Sequence, residues 1–398
     1  MKKNFLLMGL LVLGLGFSVV SCGDDDDNNN NGNNETELTE EEAQSLDYTS
    51  SNAAAWGNYA VNVAQLLTND SKNLYDEWKG SFAEAFKNHT SASGFTSAVG
   101  CVEQIIDGCI DIANEVGTAK IGEPVDYWTS GQKNKALYAV ESWYSWHSRD
   151  DYKNNILSII NSICGTRFEG DPNQIVPQSL TSPSIMYTLM ASRNNTLIEA
   201  SAAVYTNAIA AWNAIDAIPQ PFRNNIGSEE AEEAMEACAT LTASLEALKG
   251  VIEDNLSEED AQAIVNQFVD VVALPTYKDL VEKNNALLTA VKALQANPSN
   301  SAFEAACAAW IDARQPWESS EAFLFGPVSE LGLDPNMDSW PLDAVGIANL
   351  LKSQKWSEME WSGDYDEDSE AIEAAQSLRG FHTLEFLLYK DGQPRTVK

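Results

Sequence analysis

From residue 39 onward, the apolar residues of this chain recur every three or four positions and almost never at every second one. That period is one face of an α-helix, and the alternation that builds strands and hairpins is scarce. The cleanest stripe is Met235, Cys238, Leu241, Leu245, Leu248 and Ile252. Another runs through Leu197, Val204, Ala208, Ala211 and Ile215. Long helices with narrow stripes pack as antiparallel bundles. Thr39 with Glu42 spells a capping box and predicts a helix from there to about Leu67; Thr196 with Glu199 and Ser257 with Asp260 are similar starts. Pro and Gly interrupt the pattern at 165–183, 218–221 and 325–341, the last being longer than a minimal connection needs. A chain of 398 residues is ample for a sizeable core and two domains. The expectation is an all-α fold of helical bundles in two parts, 41–256 and 257–398.

The first residues read as a leader rather than as fold. Lys2 and Lys3 precede an apolar run from Phe5 to Val20, followed by Ser21 and Cys22. A leader that ends in a small residue and then Cys resembles a bacterial lipobox, so 1–21 are read as signal peptide and Cys22 as the lipidated residue. An ordinary signal peptide or a membrane anchor is the plainer reading. Residues 22–40, acidic at Asp24–Asp27 and then Asn-rich, form a tether too poor in apolar residues to fold. An acidic run placed there resembles a surface-export signal, which leaves the surface and the periplasmic face of an outer membrane both open. The formal net charge is −35, with 59 acidic residues against 24 basic ones. That balance excludes nucleic acid, whose binders cluster Lys and Arg against phosphate, and it favours cations.

The chemistry concentrates near the C-terminus. Gly380-Phe381-His382-Thr383-Leu384-Glu385-Phe386-Leu387-Leu388 is apolar almost all the way round, yet it holds one of only three histidines and a glutamate. The i, i+3 spacing puts His382 and Glu385 on one face, and a buried carboxylate needs a partner. A second segment steps through Phe303, Cys307, Trp310, Arg314, Trp317 and Glu321, placing a cation and an acid on an aromatic stripe. Pro316 makes the phase beyond it approximate. A third pairs Glu141 with Ser145 and Asp151 with Asn155, each four apart and so expected on shared helix faces. Each segment also has a bland reading as a buried ion pair, a cap or a solvated face. His89 and His147 read as surface or capping residues. One imidazole among many oxygens suits Fe, Mn or Ca better than a structural zinc. The H-E-x-x-H signature, nucleophile elbow, Walker loop and dinucleotide glycine loop are all absent from the sequence. Besides Cys22, five cysteines (Cys101, Cys109, Cys164, Cys238 and Cys307) mostly fall on apolar stripes and read as buried thiols.

Gly380-x-His382-x-x-Glu385 followed by Phe386-Leu387-Leu388 resembles the G-x-H-x-x-E signature of imelysin-like proteins, the M75 peptidase family. Ala313-Arg314 with Glu321-Ala322-Phe323, Phe325-Gly326-Pro327, and Trp340-Pro341-Leu342-Asp343 are similar to the family pattern. So are Glu115-Val116-Gly117 with Lys120-Ile121, Glu141-Ser142 with Ser145, Asp151 and Asn155, and Pro275-Thr276-Tyr277. The blocks come in a different order from the family's usual one, which looks like a circular permutation; the ends near 40 and 395 should then lie close together.

The resemblance implies an all-α protein of two helical-bundle-like halves packed around a shared cleft, linked to iron uptake or metal binding at the cell envelope. His382, Glu385, Glu321 and Glu141 are the candidate ligands for a metal ion or small metal complex, Fe first with Zn, Mn or Ca as alternatives. Arg314, Ser142, Ser145, Asp151, Asn155 and Gly380 would support them. An outer-membrane uptake partner is part of this expectation. The rival is a metallopeptidase with Glu385 as general base, and a structural lipoprotein without ligand is the third reading.

Overall fold

The computed structural model describes residues 38–175, 180 and 182–398. The leader, Cys22 and the tether up to residue 37 lie outside the described residues. The chain is all-α, with nine helices that build or position the site: α1 (Ala53–Glu77), α2 (Ala98–Glu115), α3 (Ser148–Cys164), α4 (Asn195–Ala217), α5 (Glu229–Asn255), α6 (Leu274–Ala296), α7 (Asn300–Glu318), α8 (Leu333–Asp338) and α9 (Gly380–Leu388).

One group forms where α5 packs on α4 and α2, and α3 packs on the same two. The expected stripes supply its core: Cys238, Leu241, Leu245, Leu248 and Ile252 of α5 face Val204, Ala208, Ala211 and Ile215 of α4, all buried. A second group joins α6 to α1 and α7, with α9 against α1 and α7. This half draws on both ends of the chain. The α9 backbone is held by indole donors, Trp56 Nε1–H to Leu387 O (2.8 Å) and Trp310 Nε1–H to Phe381 O (3.0 Å), and Tyr59 O–H donates to Leu378 O just ahead of it (2.7 Å). Contact between α3 and α7 joins the two groups, and Leu38–Lys398 form one compact unit. No helix among the described residues is long and apolar enough to cross a membrane.

The ends meet. Asp47 accepts from Arg395 Nη1 (2.7 Å) and Lys390 Nζ (3.2 Å), and it also pairs with Lys398.

Three local expectations need correction. The capping box of Thr39 and Glu42 forms, but its helix ends at Gln44 and α1 starts only at Ala53. Side chains between them satisfy the backbone instead: Asn52 Oδ1 accepts from Thr49 N–H (2.8 Å) and Asn52 Nδ2 donates to Asp47 O (2.9 Å). Such local bonds compete with the helix. The cap of α4 is Asn194, which accepts from Thr196 N–H, rather than Thr196 itself; Ser257 does cap the helix Glu258–Gln267. A two-stranded hairpin also forms, with Tyr389–Lys390 against Gln393–Pro394. Its turn is Asp391-Gly392, both at positive φ, a dipeptide that favours such turns.

Candidate functional site

The two groups meet at a buried polar cluster built on α9. Gly380 opens that helix at φ +93°, and a Cβ there would lie 2.5 Å from Met337 O. Without a side chain at this position, α8 can approach and bring the neighbouring Asp338 to His382. All nine residues of α9 are buried. His382 Nδ1 lies 3.1 Å from Glu385 Oε2; Nε2 lies 3.1 Å from Asp338 Oδ1 and 3.4 Å from Glu141 Oε1. Burial and Arg314 oppose charging the ring, but Asp338 and Glu141 overcome both and hold its pKa well above the ordinary value. His382 is therefore an imidazolium at neutral pH, and both its N–H groups donate to carboxylates.

From α7, Arg314 spreads over four acids. Nη2 lies 2.8 Å from Glu141 Oε1 and 2.6 Å from Glu318 Oε1, Nε lies 3.4 Å from Asp151 Oδ2, and Nη1 pairs with Asp338. Asp338 also accepts from Trp317 Nε1–H (2.6 Å). Glu318 is the i+4 partner of Arg314, and it accepts from Asn155 Nδ2 (2.6 Å).

The segment carrying Glu141 and Ser145 is not the helix their spacing predicts. Residues 141–146 form a turn, with Ser142 and Trp146 at positive φ. Such backbone persists only where surroundings fix it. Here Arg223 Nη1 donates to Trp143 O (3.2 Å), its guanidinium lies 3.9 Å over the Trp143 ring, and Gly392 N–H donates to Tyr144 O (2.9 Å). The turn presents three groups to the site. Ser145 N–H donates to Glu385 Oε1 (2.7 Å), Ser142 Oγ–H donates to Asp151, and the Glu141 carboxylate meets Lys120 Nζ at 3.1 and 3.3 Å. Lys120 ends the π-helical turn Val116–Lys120 that continues α2, and π-turns recur at functional sites. Asp151 and Asn155 do share the inner face of α3, both buried.

Glu321 is displaced from its expected stripe. The α-helix ends at Glu318, and Glu321 opens a 3₁₀ turn. Its carboxyl lies with Glu318 and Asp338, ligand atoms within 4.8 Å of one another; Glu141, Asp338 and His382 form a second such trio. Asp338 belongs to both.

The electrostatics divide the acids. Burial alone would raise Glu141, but Lys120, the His382 hydrogen bond and Arg314 bring it down to about 2. Burial likewise opposes Asp338, which Arg314 and His382 hold far below the carboxylate range. The others go up. Burial pushes Asp151 to about 6 and Asp334, with Asp338 beside it, to about 7. Glu318 and Glu321 rise well above their ordinary value, mainly through burial. Three cations, Lys120, Arg314 and His382, keep Glu141 and Asp338 ionised, and burial favours the protonated form of the surplus carboxyls.

A cleft of about 440 Å³ opens onto the cluster where α3, α4 and α7 adjoin. Its lining includes His147, Trp212, Trp310 and Gln315, together with Asp151 and Arg314 from the cluster. His147 is half-buried and its Nδ1 lies 2.9 Å from Ser145 O. The five described cysteines are free and buried.

The structure thus gathers His382, Glu385, Glu141, Arg314, Asp151, Asn155, Ser142 and Ser145 into one network, with Gly380 against the backbone that brings Asp338. Glu385 stands behind His382, on the far ring nitrogen from Asp338 and Glu141. Sequence reasoning missed Asp338, Glu318 and Lys120. The i+4 spacing to Arg314 could have found Glu318, and the block around Glu115 already contained Lys120. Asp338 sits on a short helix inside a segment read as loop, where no period marks it.

The chain matches the imelysin family model, peptidase M75, over residues 25–248 and 273–398. The crystal structure of an imelysin peptidase from Bacteroides ovatus is 51% identical in sequence, with a TM-score of 0.83 covering 89% of this chain and 100% of that one. Iron-regulated protein A of Synechococcus elongatus is 34% identical over 130 residues, 33% of this chain. The match spans about a third (32%) of that relative's length.

Proposed function

We propose, from the premise that this chain belongs to the imelysin family, that its buried cluster binds a metal ion or small metal complex in an iron-linked role. One observation carries the reading: Glu141, Asp338 and His382 bring two carboxylates and an imidazole within 4.8 Å of one another, beside a cleft. Donors of that kind suit Fe, and also Mn, Zn or Ca. Glu385 supports the reading from behind. A metal-binding histidine commonly has its other ring nitrogen tied to a carboxylate, which fixes the ring, and Glu385 holds His382 Nδ1 in that manner. Ser145 N–H fixes Glu385 in turn. Asn155, Ser142 and Asp151 orient Glu318 and Arg314. Glu321 joins through the trio that shares Asp338. The name of the relative, iron-regulated protein A, is what favours iron.

Metal uptake at this site displaces protons, because His382 must offer a lone pair and the raised carboxyls must ionise. Calorimetric titration of the metal-free protein with Fe, Zn, Mn and Ca tests the reading. Saturable uptake that His382→Ala abolishes supports it; no uptake of any ion by the wild type sinks it. A peptidase needs a free general base, and Glu385 instead accepts at both oxygens. Chelator-sensitive cleavage of an unfolded protein, lost in Glu385→Gln, would reinstate that alternative.

The proposal extends to the envelope. Cys22 would carry the lipid that anchors the protein to an outer membrane, where an uptake partner would receive the metal; lost fatty-acid labelling in Cys22→Ser tests the anchor. The pairing of Asp47 with Lys390 and Arg395 supports a permuted order of the family's blocks.

A further inference from the structure

We infer that the Arg314 guanidinium occupies the place an incoming metal takes, so that loading this site exchanges one cation for another. The inference rests on the metal-binding reading above. Its first support is position. Arg314 contacts Glu141 and Asp338 of one trio and Glu318 and Asp338 of the other, so its charge already stands among the candidate ligands of both.

The second support is the approach to His382. Arg314 Nη2 lies 3.3 Å from His382 Nε2. That ring nitrogen also faces Asp338 at 3.1 Å and Glu141 at 3.4 Å. The guanidinium nitrogen thus stands where Nε2 and the two carboxylates would converge on an ion. For His382 to offer a lone pair in that direction, the guanidinium nitrogen must move aside. The contact with Glu318 is ionic only: Oε1 lies 2.6 Å from Nη2 but accepts no hydrogen bond.

The third support is a way out. Arg314 lines the cleft together with Asp150, Asp151 and Gln315. Its Nε already lies 3.4 Å from Asp151 Oδ2. Rotation of the side chain toward the cleft, on the side of Asp151, leaves Glu141, Asp338 and His382 facing one another. Lys120 stays on Glu141 throughout, because Glu115 holds it on the other side (3.8 Å). A lone sodium or potassium ion is too weakly held by these ligands to replace a guanidinium with four carboxylate contacts. The device therefore selects cations of charge two or more that also accept nitrogen.

The test titrates manganous ion into wild type, Arg314→Gln and Arg314→Lys at neutral pH, with helicity checked by circular dichroism. In parallel, the arginine Nε–Hε resonances of the wild type are followed during titration with zinc ion, which is diamagnetic. There are seven arginines, and Arg314→Gln identifies the signal by its loss. Removing a positive charge from beside the ligands should tighten binding about tenfold or more in Arg314→Gln. Arg314→Lys, which keeps a cation there, should track the wild type, and the Arg314 Hε signal should shift on loading. Equal or weaker binding by a folded Arg314→Gln overturns the exchange and leaves the metal site standing. So does wild-type uptake with an unmoved Arg314 signal, which decides the matter even if the variant fails to fold. No uptake by any of the three proteins removes both readings.

Discussion

The pair α4 and α5 and the cluster between α7 and α9 are equally buried, yet they are held by different physics. In the pair, each apolar side chain contributes on its own, roughly 1.5–3 kcal/mol for a full Leu or Ile, and needs only a neighbour of suitable size. In the cluster, nothing contributes alone. Arg314 is favourable only because Glu141, Glu318, Asp151 and Asp338 surround it. His382 is charged only because Asp338 and Glu141 face it. Apolar burial sums over residues, whereas charge burial depends on a complete set of partners. A cluster of this kind can therefore be remodelled by one incoming ion, and the apolar pair cannot.

The sharpest way to break the comparison is to remove one member of each. Arg314→Ala leaves Asp151 and Glu318 buried without an ion-pair partner and should destabilise by about 3–5 kcal/mol at neutral pH. That loss should shrink as pH falls toward 4, where the carboxyls protonate. Leu245→Ala should cost about 2–5 kcal/mol and stay flat over the same range. Denaturant unfolding at several pH values reads both. If the two losses share one pH dependence, the distinction fails.

A second comparison uses pH on the wild type. Glu141 is lowered to about 2 from an ordinary 4.5. A lowered acid stabilises above its unfolded value and loses that contribution as pH falls through its folded one. Stability should thus decline between about pH 4.5 and 2, and Glu141→Gln should flatten that limb. His382 acts oppositely: its raised pKa stabilises fully below about 6.5 and fades only as pH climbs through the folded value. Metal affinity should rise between pH 5 and 8, since ions then compete with fewer protons. Calorimetry in buffers of different ionisation enthalpy counts the protons released.

Smaller effects sharpen the same contrast. Gly380→Ala sets a Cβ against Met337 O at positive φ and should cost about 1–3 kcal/mol. It should also weaken metal binding by pushing Asp338 from His382. Ser257→Ala removes one helix cap and should cost about 1 kcal/mol without touching metal affinity. A cap variant that altered metal binding would show that the two regions are coupled.

How far the chain could be read follows the same division. The α5 stripe from Cys238 to Ile252 was visible because each residue is buried for a reason that three- and four-residue spacing displays. The pairing of His382 with Glu385 was visible for the same reason, as neighbours one turn apart on α9. Spacing misled where the backbone leaves the helix. Glu141 and Ser145 serve the site from a turn, and Glu321 reaches it from a 3₁₀ turn beyond the end of α7. In both places a helical period was assumed across residues whose conformation is fixed by distant groups, Arg223 and Gly392 in the first case.

By itself the sequence determined the class of fold, the apolar faces, the family resemblance and the pair on α9. All of these depend on residues within one or two turns of each other, where helix geometry converts spacing directly into contact. Only the tertiary structure decided that Asp338, Glu318 and Lys120 complete the site. It also decided that Glu385 stands behind His382 and that Arg314 lies among the ligands. Charges taken out of water are sorted by what lies within a few ångströms, however far apart along the chain, and that neighbourhood exists only once α2, α3, α7, α8 and α9 have met.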